Sequence, residues 1–256
     1  MAIVRVLVLR AAGINCDEET AFAWEKAGAR TERVHVNRLV EDPRRLADYQ
    51  VLTIPGGFSY GDDIASGKIL ANLLTHYLGD AIRSFLDRGG LILGICNGFQ
   101  VLVRLGMLPG ADCGARATLT LNDSGRYEDR WVRLRAESDH CVFLAKGEML
   151  EVPVAHAEGR VVVEGGQTGV SILASGGRVA LAYVAADGGE PAYPENPNGS
   201  IGNIAAFTDA TGRVLGLMPH PERNILPTHR PDWTGRDSST EGEGMRLFRR
   251  AVKWLV

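Results

Sequence analysis

Cys96, His220 and Glu222 are the residues of this 256-residue chain whose types and settings could carry covalent chemistry. A thiol of this kind attacks an acyl carbon, an imidazole takes and returns the proton, and a carboxylate orients the imidazole. Cys96 stands in LILGICNGFQVLVRLG, residues 91–106. Leu91 to Ile95 is the length of a strand buried on both faces. Asn97-Gly98 reads as a chain reversal, because both residues tolerate positive φ. Phe99 to Leu105 reads as a helix whose apolar face holds Phe99, Leu102, Val103 and Leu105. The cysteine therefore falls where a strand ends and a helix begins, the setting of a nucleophile elbow. A helix N-terminus favours the thiolate, and Gly94 and Gly98 remove side chains that would crowd a sharp turn. The competing reading is a buried thiol acting as a small hydrophobe.

Six histidines compete for the base: His35, His76, His140, His156, His220 and His229. His35 falls in a strand pattern and His76 within a helix, where a solvated or satisfied ring is expected. His220 follows the apolar run VLGLMP and so emerges at a strand end, as Cys96 does. Pro219 and Pro221 hold its backbone. Glu222, two residues on, shares a face with His220 in an extended segment and can accept its ring N–H. An HPE tripeptide alone also occurs by chance. Cys16, Cys113 and Cys141 follow no such pattern and are expected to be dispensable for turnover. With no C-x-x-C pair, neither a disulfide framework nor a metal site is expected.

The elements that position these residues change character midway. Val4–Leu9, Thr31–Val36, Val51–Ile54 and the run before Cys96 read as strands. Helical signals at residues 17–27 and 69–87 alternate with them, the second with a candidate break at Gly79. Alternation of this kind implies a doubly wound, mostly parallel sheet with helices on both faces and sites at the strands' C-terminal ends. WVRLRA, MLEVPVA, RVVVEGG and RVALAYV, between residues 117 and 184, suggest added antiparallel strands. Residues 202–218 supply two more strands, and residues 243–255 a closing amphipathic helix. No linker or repeat interrupts the chain, so residues 1–256 are expected to form one α/β domain.

A net charge of −3 leaves no electrostatic footprint for nucleic acid or anionic membrane. No window of about 18 apolar residues occurs, so no membrane span is expected. The opening MAIVRVLVLRAAG reads as a first strand rather than a signal peptide, since Arg5 and Arg10 break it. Unpaired cysteines fit a reducing, cytoplasmic compartment.

GICNGFQ, with GLMPHPER more than a hundred residues later, resembles the signature of the class I (triad) glutamine amidotransferases. More narrowly, PGGFSYGDD, RWVRLR, AHAEGR and NPNGS resemble the glutaminase-subunit family of phosphoribosylformylglycinamidine synthase. The resemblance runs from the first strand to the last helix and implies the flavodoxin-like amidotransferase fold. It implies hydrolysis of L-glutamine through a thioester on Cys96, with His220 as proton shuttle and Glu222 as its orienter. The backbone N–H groups of Gly57 and Asn97 would stabilise the oxyanion. Gln100, His156 and Glu158 would border the glutamine. The implied partners are an ATP-dependent synthetase subunit, which takes the ammonia, and a small accessory subunit. No cofactor or metal is implied for this chain; ATP and Mg are the partner's.

The PGGFSYGDD loop lacks the spacing of a phosphate-binding loop. The family usually has Gly where Ala157 stands, which bears on the backbone of that loop. YPENPNGS is expected near the mouth of the site. Residues 228–244 read as a surface segment, with Trp233 a candidate contact residue. Two other classes stay open on residues alone: a different cysteine hydrolase on a similar scaffold, and a binder that keeps the fold without catalysis.

Overall fold

Nine strands form one sheet in the order β2-β1-β3-β4-β11-β10-β9-β6-β7. They are β1 (Arg5–Arg10), β2 (Arg30–His35), β3 (Val51–Ile54), β4 (Leu91–Ile95), β6 (Glu128–Ala136), β7 (Met149–His156), β9 (Val179–Val184), β10 (Ile204–Thr208) and β11 (Val214–Leu217). A separate antiparallel pair joins β5 (Ala117–Thr120) to β8 (Arg160–Val163). The helices are α1 (Asp17–Lys26), α2 (Val36–Glu41), α3 (Lys68–Asp87), α4 (Asn97–Arg104), α5 (Gln167–Ser175) and α6 (Met245–Leu255). This is a computed structural model, and it describes residues 3–235 and 241–256.

Strands β2, β1, β3, β4 and β11 run parallel. The central ones are continuous apolar runs, buried along their whole length in β3, β4 and β11, as strands covered by helices on both faces must be. From β11 onward the pairing is antiparallel through β10, β9, β6 and β7. The mostly parallel α/β sheet with an antiparallel second half is thus the architecture expected. Pro153 sits in β7, an edge strand, where its missing N–H costs no ladder bond.

The antiparallel extension does not stay flat. Four strand spacings, roughly 19 Å at about 4.8 Å each, separate β11 from β7 in a flat sheet. Yet the His220 N–H, three residues beyond β11, donates to the Pro153 carbonyl of β7 at 2.8 Å. The sheet curls over, helped by the register shifts between β9 and β10, where irregular pairing bends a strand and raises its twist. The end of β7 is thereby laid across the C-terminal ends of the parallel strands.

Several sequence expectations are corrected. Helix α3 runs unbroken through Gly79, which faces open space. Burial of Leu70, Leu74, Leu78, Ile82 and Phe85 outweighs the ~1 kcal/mol that a glycine costs a helix. Val36 begins α2 rather than ending β2; the His35 ring accepts the Asn37 N–H as its cap. Helix α5 runs against local propensity, since Thr168, Val170 and Ile172 favour strands; it buries Val170 and Leu173 three residues apart. Asn97-Gly98 does not reverse the chain but opens α4, and the positive φ falls one residue earlier, on Cys96.

Among the described residues no helix is long and apolar enough to cross a membrane.

Candidate active site

Four parallel strands end at one place. Beyond β4, Cys96 takes φ 51° and ψ −105°, a strained conformation for a side-chain-bearing residue, costing about 1–3 kcal/mol. It is held by the Cys96 N–H donating to the Leu217 carbonyl (2.8 Å) and its carbonyl accepting from the Gln100 N–H (3.1 Å). The close approach behind it demands glycine. A Cβ on Gly98 would lie 1.9 Å from the Ile54 carbonyl oxygen, and one on Gly94 2.7 Å from the Gly98 oxygen. The glycines flanking Cys96 therefore serve packing, not φ.

His220 and Glu222 lie beyond β11 and are buried, at 2% and 1% exposure. His220 Nδ1 meets Glu222 Oε1 at 2.6 Å, so the N–H sits on Nδ1 and donates to the carboxylate. His220 Nε2 and Glu222 Oε2 are buried without a partner. Residues 221–223 form a 3-10 turn, not the extended segment expected, and the pair meets across that turn. Burial pushes the His220 ring down, but the Glu222 carboxylate and the Cys96 thiol beside it hold it well above the ordinary histidine value.

Gly56, just beyond β3, is the hub of the arrangement. A Cβ there would lie 2.9 Å from His220 Cε1, 3.2 Å from Cys16 Sγ and 3.5 Å from Cys96 Cβ. The missing side chain leaves the room in which His220, Cys16 and Cys96 approach one another. A cavity of about 160 Å³ opens onto them, lined also by Gly57, Gln100, His156 and Glu158. That is below the ~300–1,000 Å³ of drug-sized ligand sites and suits a small substrate.

Gly57 (φ 137°) is held against residues 13–15 so closely that a Cβ would lie 2.7 Å from the Gly13 oxygen. Its loop neighbours are engaged: the Phe58 N–H donates to the Gly13 carbonyl (2.9 Å) and the Ser59 N–H to Asn97 Oδ1 (3.2 Å). The Asn97 N–H opens α4, ahead of the first intrahelical bond. The Asn97 side chain thus ties the glycine loop to the elbow, and fixes the relative position of the two candidate oxyanion donors. Gln100 is tied as well, accepting from Asn97 Nδ2 (2.9 Å) and donating to the Glu158 carbonyl (2.6 Å).

His156, at the end of β7, is buried with Nδ1 on Asn122 Oδ1 (3.1 Å) and Nε2 unpartnered. Burial, reinforced by His220, pushes its pKa down to about 3. The folded value lies below the unfolded one, so as pH falls the unfolded chain takes the proton first. Its contribution is complete above the ordinary value of 6.5 and is lost as pH falls toward about 3. We expect His156→Gln to flatten the stability profile between pH 6.5 and 4 by up to about 1.4 kcal/mol per pH unit in urea titrations. Parallel profiles for the two proteins would refute this.

Ala157 lines the cavity without adopting a positive φ, so its Cβ is accommodated where the family usually has glycine. NPNGS does not line the cavity. Asn198, fully buried, donates to the Gly159 carbonyl (2.8 Å), and Ser200 Oγ accepts the Val161 N–H (2.9 Å). The motif clamps the loop that carries His156 and Glu158. Trp233 is 45% exposed; residues 236–240 of the surface segment lie outside the described residues.

Asn15, Cys16, Ser66, Tyr127 and Arg223 also line the cavity, and sequence reasoning placed none of them at the site. Cys16 lies in the loop between β1 and α1, directly before α1; the apolar run of β1 ends at Arg10, so no strand-end signal marked it. Cys113 and Cys141 do not line the cavity; burial pushes the Cys141 thiol up to about 11. Among the described residues, Cys16, His220 and Glu222 bring potential metal ligands within 4.8 Å of one another. The His220–Glu222 hydrogen bond already occupies one ligand atom of each of those two residues.

A thiol on a strained elbow, a buried imidazole–carboxylate pair and a glycine loop define, on this sheet, a glutamine amidotransferase. The family described as the CobB/CobQ-like glutamine amidotransferase domain matches residues 3–255. Phosphoribosylformylglycinamidine synthase subunit PurQ of Dehalococcoides mccartyi is 44% identical over 257 residues, covering 99% of this chain and 98% of that one. Its counterpart from Archaeoglobus fulgidus is 41% identical over 98% and 97%. The structure of PurLQS from Thermotoga maritima matches at a TM-score of 0.74 and 30% identity, with both chains fully covered. The chain belongs to the PurQ subunit family of phosphoribosylformylglycinamidine synthases.

Proposed function

We propose that this chain is the glutaminase subunit of phosphoribosylformylglycinamidine synthase. It hydrolyses L-glutamine to glutamate and ammonia and passes the ammonia to an ATP-dependent synthetase subunit. That subunit converts formylglycinamide ribonucleotide to formylglycinamidine ribonucleotide in purine biosynthesis. The observation that carries this reading is the buried His220–Glu222 pair at 2.6 Å, Nε2 open, beside Cys96 on its strained elbow. The family membership supplies the substrate.

In this reading the Cys96 thiolate attacks the side-chain amide carbon. The oxyanion is received by the N–H groups of Gly57 and Asn97. His220 Nε2 protonates the departing ammonia, then draws a proton from the water that cleaves the thioester, while Glu222 stabilises the imidazolium. Gln100, Glu158 and His156 border the bound glutamine; Gln100 is already tied directly to the Glu158 carbonyl and to Asn97. This subunit needs no cofactor; ATP and Mg serve the synthetase partner, and a small accessory subunit completes the assembly. The chain works as one domain in the cytoplasm, a reading supported by its continuous sheet, its four free cysteines and the absence of a membrane-spanning helix among the described residues.

The test is glutamate release from glutamine, with and without the synthetase subunit, set against peptide substrates. Turnover of glutamine that rises on adding the synthetase is the expected result. Peptide hydrolysis without glutaminase activity would place the chain among other cysteine hydrolases.

A further inference from the structure

Cys16 has no place in the chemistry above, yet it lies against the triad. Its sulfur accepts a hydrogen bond from Arg223 Nη2 at 3.1 Å, and its thiol donates to Asn15 Oδ1 at 3.3 Å. The sulfur is packed beside His220 Cε1 at the Gly56 hub. Arg223 immediately follows Glu222, lines the same cavity, and reaches Glu19 through Nε at 3.5 Å. Glu222 Oε2 is buried and has no partner. Arg223 lies within electrostatic reach of Glu222, and carboxylates accept arginine readily and in bidentate fashion, so a guanidinium released from its present partners would compete with His220 for the carboxylate.

We infer that Cys16 is a positioning residue: its buried sulfur holds Arg223 off Glu222, so that the carboxylate stays committed to His220. The inference rests on the glutaminase reading of the site. A thiol suits the task because sulfur accepts a hydrogen bond without adding charge. Burial raises the Cys16 thiol, against the opposing pull of His220, so it stays neutral. A carboxylate there would hold Arg223 more firmly but would add a second anion beside the imidazole.

The groups facing His220 are Glu222 and Arg223 from the turn after β11, Cys96 from the elbow, Cys16 from the β1–α1 loop, His156 from β7 and Tyr127 from the loop before β6. Among these, Arg223 is the permanent cation. If it pairs with Glu222, less negative charge is left to stabilise the imidazolium. His220 then loses its proton at lower pH, and the alkaline limb of kcat, where protonated His220 is needed to release ammonia, moves down.

The experiment compares wild type, Cys16→Ala, Cys16→Ser and the double variant Cys16→Ala/Arg223→Gln. It reads kcat and KM against pH and titrates the His220 ring by NMR. Cys16→Ala is expected to lower kcat about tenfold with little change in KM, and to shift the alkaline limb and the ring titration down by about one unit. Cys16→Ser keeps an acceptor for Arg223 and should stay near wild type. The double variant should return the ring titration toward wild type, because the invading cation is gone. Should Cys16→Ala fold poorly, Cys16→Val fills the space without accepting a hydrogen bond and serves the same comparison. An unmoved titration in Cys16→Ala, or a double variant that stays at the Cys16→Ala value, overturns the inference and leaves Cys16 a packing residue. If wild type releases no glutamate from glutamine, the function reading fails; the ring titrations still decide the role of Cys16.

Discussion

Cys96→Ala or Cys96→Ser is expected to abolish glutamine hydrolysis while sparing synthesis driven by added ammonium salt in the complex with the synthetase subunit. The expected loss is on the order of 10⁴-fold or more, since a nucleophile removed from a unit of this kind leaves only binding and oxyanion stabilisation. Serine is no substitute. A serine hydroxyl is a far weaker acid than a thiol, so a base that deprotonates a cysteine does not make an alkoxide of serine at neutral pH. Packing does not confound the result, because the strained backbone at Cys96 is held by its main-chain bonds to the Leu217 carbonyl and from the Gln100 N–H, which do not involve the side chain. Ammonium-driven synthesis bypasses the cysteine altogether. Hydrolysis by the variant at near wild-type rate would exclude the covalent route.

The second large effect divides labour within the pair. His220→Ala should cost at least ~10²-fold, the lower end of what general acid–base assistance supplies. Without the ring, the thiol has no proton acceptor and the leaving ammonia no donor. Glu222→Gln should be milder, since the amide oxygen can still accept from Nδ1 across the 2.6 Å contact. What it loses is charge. The carboxylate is what offsets the burial of His220, so the alkaline limb should fall to lower pH in Glu222→Gln. Adding either change to Cys96→Ala should cost little more, because groups acting as one unit are strongly non-additive. His156→Ala is the control: buried and held neutral at ordinary pH, it cannot act as the shuttle without first being reorganised. If His156→Ala removed activity while His220→Ala kept most of it, the base would be His156.

The sequence by itself determined the parallel half of the molecule and the positions of its chemistry. β3 and β4 coincide with the apolar runs 51–54 and 91–95, because strands buried on both faces must be continuously apolar and Gly or Pro must punctuate their ends. Cys96 and His220 were legible for the same reason, each being the polar residue at which such a run stops. Only the tertiary structure decided what surrounds them. Gly98 read as a turn residue, yet it is required by an Ile54 carbonyl 44 positions away in the chain. Cys16 read as dispensable, yet its surroundings are the ends of other strands. NPNGS, expected at the mouth, does not line the cavity but braces the loop that does. Local pattern reports whether a side chain is buried and how the backbone turns. It carries no record of which distant segments a curled sheet brings together, and at this site the curl lays β7 over the triad and makes His156 a buried neighbour of His220.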